Sequence, residues 1–420
     1  MERNLRLLNW WWWSRWFWLG EGIWVVYLLE EHGITIGQVL LFEAVWAATV
    51  LLIEVPSGIL ADRFGRKPIL LVAGLVSVAG FLFFGLGAGL LVLVAYASFG
   101  IADASYSGAD SALLYDTLEP LGRTDEFEPR LGRLNGLLMA AFAGMTVVGS
   151  LMVRWTSLSF PIVLSAALTL PSLLIMWRTT EPPRRGGHAG IRAIGGRALA
   201  RLASTRSMWS VVALQTVAIM SIILMATLQQ PVLLRHGAPV WSLGAFIAVQ
   251  MLVGAGGSWI AGPVGERLGL RTLFLLVPLA SALSLLTGAS DQAWTYAIFI
   301  FPAAGFHLVF PHTNGFLARR VSERERATVI SLASMVSSAT SVAVTPLLGL
   351  LVDRRGLDTA FLVAALGLAT LTLLAYLAWV TSGDTARDPD EPPAADDLPM
   401  LDAPFTVGNT PEVADAGGAS

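Results

Sequence analysis

Continuous apolar runs of about 20 residues recur along the whole chain, and a run of that length crosses a bilayer as a helix. Lipid offers the backbone no hydrogen-bond partners, so only helices and closed barrels span it. Barrel strands alternate apolar with polar residues, and these runs do not. The chain therefore reads as an all-α membrane protein. Its 420 residues are 55% hydrophobic and only 14% charged, more apolar material than a soluble domain can hide.

Twelve spans are expected, near residues 9–29, 36–60, 69–86, 90–114, 135–153, 160–177, 208–229, 243–263, 272–289, 293–317, 327–352 and 359–380. Residues 1–177 then form an N-terminal six-helix bundle and 208–380 a C-terminal one. A cytoplasmic linker, 178–207, joins them, and 381–420 is an acidic, Pro-rich tail of disordered character. Basic residues concentrate in cytoplasmic loops. With the N-terminus inside, only Arg154, Arg235, Arg354 and Arg355 fall in outer loops, so both termini are placed in the cytoplasm and the protein in the plasma membrane. The linker arginines, Arg178, Arg184, Arg185, Arg192, Arg197, Arg201 and Arg206, suit an amphipathic segment on anionic lipid. No aromatic interleaving accompanies them, which argues against a nucleic-acid partner. The chain has no cysteine, so no disulfide or Cys-based metal site is possible.

Between the second and third spans lies Gly58-Ile59-Leu60-Ala61-Asp62-Arg63-Phe64-Gly65-Arg66-Lys67-Pro68. Glycines suit a tight turn, and Pro68 suits the first turn of the next helix. The run resembles the signature G-x-L-A-D-R-x-G-R-[KR] of the major facilitator superfamily, matched at every position. A weaker copy, Gly262-Pro263-Val264-Gly265-Glu266-Arg267-Leu268-Gly269-Leu270-Arg271, follows at an offset of 204 residues, between the eighth and ninth spans. Duplicated six-helix units are a mark of transporter architecture.

The resemblance implies two pseudo-symmetric six-helix bundles that rock about a central site lined by the first, fourth, seventh and tenth spans. It also implies a cytoplasmic gate built on Gly58, Asp62, Arg63, Gly65, Arg66, Lys67, Glu266 and Arg267. Asp62 is expected to cap a helix N-terminus, where the dipole favours an anion. Arg63 and Arg66 are expected to reach Asp116 or Glu119, and Glu266 to reach Arg319 or Arg320.

Ionisable groups at membrane depth are costly and mark function. The candidates are Arg15 and Glu21 in the first span, Asp103 and Asp110 in the fourth, and His307 and His312 in the tenth; Glu43 and Glu54 of the second span are open to either a gate network or transport chemistry. Asp103 and Asp110 are seven apart and expected on one helix face. At the 204 offset Asp103 matches His307 and Asp110 matches Asn314. Arg15 is expected to reach the fourth helix, which leaves Glu21 for a proton or a cationic group. Pro302, Gly305 and Pro311 suggest an irregular tenth helix. Most of the tryptophans at 10–13, 16 and 18 are expected to anchor at the headgroups.

These features point to a monomeric secondary transporter that exports a small, partly apolar organic compound by alternating access, driven by protons. An importer of a polar metabolite is the rival, kept open by Gln215, Gln229, Gln230 and Gln250. The arginine of the R-x-x-Q-G run carried by many proton-coupled exporters of the family is absent: the comparable run is Ala104-Ser105-Tyr106-Ser107-Gly108. No nucleophile elbow, H-E-x-x-H run or Cys supports an enzyme or a cofactor site.

Overall fold

The computed structural model describes residues 1–183 and 205–383. Most of the expected linker and the tail from residue 384 lie outside the described residues. The described chain is helical: α1 (Glu2–Ser14), α2 (Trp24–Glu30), α3 (Ile36–Phe64), α4 (Arg66–Leu86), α5 (Leu90–Tyr106), α6 (Ala109–Leu118), α7 (Phe127–Met152) and α8 (Ser159–Arg178) precede the linker. After it come α9 (Arg206–Arg235), α10 (Leu243–Ser284), α11 (Tyr296–Phe299), α12 (Phe301–Ala318), α13 (Glu323–Arg355) and α14 (Leu357–Val380).

Ten of the described helical segments are long and apolar enough to cross a membrane. One of them contains two spans, because α10 is interrupted at Gly269, whose φ of 71° and ψ of 157° are not helical. The first span is missing from the ten because it is not one helix: turns replace helix between Ser14 and Trp24. Resolving both exceptions gives the twelve-span fold.

The duplication is visible in the backbone. Gly65 ends α3 with φ 108° and ψ 159°, and Gly269, its partner at the 204 offset, takes almost the same shape. A side chain at either position would strain that left-handed backbone, so the sharp reversal between spans depends on glycine. In the first half α4 packs on α5 and α8, and α3 on α5. In the second, α10 packs on α12, and α9 on α12 and α14. The halves meet where α3 lies against α13 and α7 against α10.

Hydrogen bonds join the halves at the end opposite the Gly58–Pro68 loop. Asp353 accepts from the Thr35 hydroxyl at 2.8 Å and the Gly37 amide at 3.1 Å. The backbones of Gly37 and Gly349 approach so closely there that a Cβ on either would strike the other helix. The Gly244 amide donates to Ser150 at 3.1 Å.

One expectation changes and another is met. The fourth span is not one helix. It ends at Tyr106 and restarts at Ala109, with Gly108 at φ 77°. Asp103 and Asp110 therefore sit on separate helices and do not share a face. The tenth span also breaks, at Ile300, where α11 gives way to α12 with Pro302 in its first turn.

Candidate functional site

The break in the first span creates the site. Between α1 and α2 the chain turns through Arg15–Ile23, and its backbone is pressed against the other elements. A Cβ at Gly149 of α7 would collide with the Leu19 carbonyl, and one at Gly22 would meet Gly244 of α10. A restarted helix has unpaired N–H groups in its first turn. Here Gln230, on α9 in the other half, accepts from the Val25 and Val26 amides at 3.1 and 3.2 Å and donates to the Glu21 carbonyl at 2.9 Å. Gln230 is fully buried, so it caps a helix it does not belong to.

This irregular segment borders a cavity of about 310 Å³. Trp16, Trp18 and Glu21 come from the turns and Trp24 from α2; α3 adds Glu43 and Trp46. Phe81 and Phe84 of α4, with Tyr96, Phe99 and Asp103 of α5, form the far wall. Phe142 of α7 closes one side, and Ile223, Ala226 and Thr227 of α9 bring in the second half. The aromatic wall is packed on itself: Trp18 stacks on Phe81 at 5.2 Å between centroids, and Phe81 meets Phe99 at 5.1 Å.

Three lining residues are carboxylic acids and none is basic. Glu21 accepts from the Trp18 indole at 2.9 Å and Asp103 from the Trp46 indole at 2.8 Å. Glu43 has no hydrogen-bond or ion-pair partner among the described residues. Arg15 is turned elsewhere, onto Asp110 at 2.6 Å. Its guanidinium is packed between the rings of Trp11, Trp12 and Tyr106, 4.6–5.1 Å from their centroids.

The remaining candidates lie apart from the cavity. His307 bonds Ser258 at 3.0 Å and His312 bonds the Ala261 carbonyl at 2.9 Å, so both tie α12 to α10. Gly254 and Gly265 make room for those two rings. His307 and Asp103, related by the repeat, do not meet.

At the loop face Arg66 forms an ion pair with Asp116. Asp62 is exposed in the last turn of α3 and does not cap α4. That role belongs to Glu181, whose carboxylate accepts from the Arg66 and Lys67 amides at 2.8 and 2.9 Å. Lys67 reaches the Thr179 carbonyl at 2.8 Å, and Asn4 brackets Thr180 through bonds of 2.6 and 3.0 Å. Arg63 lies over Phe64. In the second copy Glu266 and Arg267 are exposed.

Glu43, Trp46, Gln230 and Glu181 are the residues that sequence reasoning undervalued. Glu43 and Trp46 stand one helical turn apart in a span otherwise apolar at that depth, which was a usable signal. Trp11 and Trp12, expected at the headgroups, are 1% exposed, because Arg15 needs aromatic cover.

A chain of twelve spans in two related halves, with an aromatic cavity carrying three acids where a broken helix meets both, is a membrane transporter. The family model described as Major Facilitator Superfamily matches residues 17–344, and the chain belongs to that family. Among solved structures it resembles the nucleoside transporter NupG (TM-score 0.72, 14% identity, 90% of this chain and 99% of that one). It also resembles an inward-facing, occupied bacterial homologue of the human lysosomal transporter Spinster (TM-score 0.70, 16% identity, 93% and 98%). A D-xylose–proton symporter is similar as well (TM-score 0.69, 12% identity, 92% and 97%). At these identities the likeness concerns the fold. No curated protein sequence matches the chain.

Proposed function

We propose that this transporter exports a small, partly apolar organic compound from the cytoplasm in exchange for protons. It acts as a monomer in the plasma membrane, with both termini inside and residues 1–177 and 208–380 as the moving halves. The observation that carries the reading is the cavity itself. Its walls are aromatic, its charges are carboxylic acids, and it lies where α9 of one half meets the broken first span of the other. Acids of this kind can carry protons through a membrane protein. On this orientation the Thr35–Asp353 seam closes the outer end. The Arg66–Asp116 pair and the Glu181 cap then stiffen the cytoplasmic loop, which leaves Asp62 available to a partner in another conformation.

An importer of polar metabolites would need amide groups in the cavity. None of Gln215, Gln229, Gln230 and Gln250 lines it. Gln230 is engaged by α2, and Gln229 bonds the Ala226 carbonyl and Tyr296.

The test is accumulation of aromatic dyes and antibiotics in cells stripped of their main exporters. Wild type should lower accumulation, and collapsing the proton gradient should abolish the effect. Asp103→Asn, which keeps the volume beside Trp46, should abolish it too. Unchanged accumulation across the panel would refute export of these compounds.

A further inference from the structure

We propose that the cavity receives an organic cation with a flat apolar body and that Glu43 is its counter-ion, a conclusion that rests on the cavity being the transport site. Two of the three acids already have donors: Trp18 holds Glu21 and Trp46 holds Asp103. Glu43 is left with none among the described residues. A carboxylate in such surroundings is costly until a cation or a proton meets it.

The rest of the cavity selects the same chemistry. The faces of aromatic rings carry negative charge density and attract cations, and cages of such rings recognise quaternary ammonium groups. Trp16, Trp24, Tyr96 and Phe99 put four such rings on the lining here. An anion would find no basic side chain on the lining, since Arg15 is held by Asp110 and covered by Trp11, Trp12 and Tyr106. A sugar or nucleoside would find hydroxyls at Tyr96 and Thr227, indole N–H groups and the carboxylates, but no side-chain amide and no basic group. The volume of about 310 Å³ is near the lower end of the ~300–1,000 Å³ typical of ligand sites, which suits a body of one or two rings.

Isothermal titration calorimetry on the purified full-length protein in detergent tests this with three probes. They are benzyltrimethylammonium, its neutral isostere neopentylbenzene (carbon in place of nitrogen), and the anion phenylacetate. The cation should bind at least tenfold more tightly than either of the others. Glu43→Gln should weaken the cation at least tenfold and leave neopentylbenzene within twofold. Asp291→Asn, which changes the same charge on an exposed loop, should bind all three as wild type does. Equal affinity for cation and isostere in wild type would overturn the proposal, whether or not Glu43→Gln folds. So would a well-folded Glu43→Gln that binds the cation normally. Tight cation binding without movement of the cation across proteoliposomes would instead refute the transport reading and leave the cation site standing. Transport of neutral aromatics with no preference for the cation would do the reverse.

Discussion

Arg15 and Asp110, 95 positions apart in sequence, form a nearly enclosed ion pair at 2.6 Å. Each lies at a break in its span: Arg15 just after α1, Asp110 in the first turn of α6. The pair fastens the two irregular spans of the first half together and holds the Arg15 guanidinium off the cavity lining, which has no basic side chain.

Removing one member of such a pair leaves an uncompensated charge, which typically costs roughly 3–5 kcal/mol. Asp110→Asn should therefore melt well below wild type in a detergent thermal-unfolding assay. The double variant Arg15→Met, Asp110→Leu should recover most of the loss. Equal melting of Asp110→Asn and wild type would show that the pair contributes little.

Gln230→Leu should leave the Val25 and Val26 amides without an acceptor. An unsatisfied buried group costs about 1–3 kcal/mol, so this variant should also unfold earlier. Hydrogen exchange should rise at residues 24–27 before it rises elsewhere in α2 and α3. Unchanged protection there would mean that another group can cap the restarted helix.

The seam opposite the loop face rests on Asp353 and on the contact between Gly37 and Gly349. Asp353→Ala removes the acceptor shared by Thr35 and Gly37. Because the chain lacks cysteine, spin labels placed at His32 and Arg355 need no background substitutions. Pulsed distance measurements on Asp353→Ala should show a longer, broader distribution than on the parent. Identical distributions would assign the closure to helix packing alone.

Outside the spans, Glu126 sits between Arg123 and Arg130, with bonds of 2.5, 2.9 and 2.7 Å. Hydrogen bonds from Arg123 first, then Arg130, lower its pKa from 4.5 to about 2. A depressed carboxylate stabilises the fold above its ordinary pKa, and the contribution fades as pH falls through about 2. Solvent screening keeps it small. A carbon-13 NMR titration of labelled glutamate should place this carboxyl well below the other exposed ones. A midpoint near 4.5 would mean that the cluster does not persist in solution.

The architecture was legible because hydropathy and the 204-residue repeat act through local rules: run length for spans, glycine for the reversal at Gly65 and Gly269. The destination of Arg15 on the fourth span was also legible, since a buried cation needs an acid and few exist. The broken spans were not. Nothing in the apolar run from Asn9 to Leu29 reveals that its backbone opens between Ser14 and Trp24, because the compensation comes from Gln230, over 200 residues away. The same break decides the site. A continuous first helix would set Arg15 and Glu21 about 120° apart around its axis, whereas the turns place Glu21 in the cavity beside Trp18 and leave Arg15 behind it. Asp62 shows a different limit. The motif marks the turn correctly, but which acid caps α4 depends on where the end of α8 brings Glu181, a tertiary matter invisible in the motif.

The most direct test of alternating access through this cavity is the labelling of Ala226→Cys, a cavity position on α9, by a membrane-impermeant thiol reagent applied to each side of sealed proteoliposomes. The account predicts labelling from either side, at rates that substrate shifts in opposite directions. A cysteine reached from one side alone under every condition, or from neither, would contradict it.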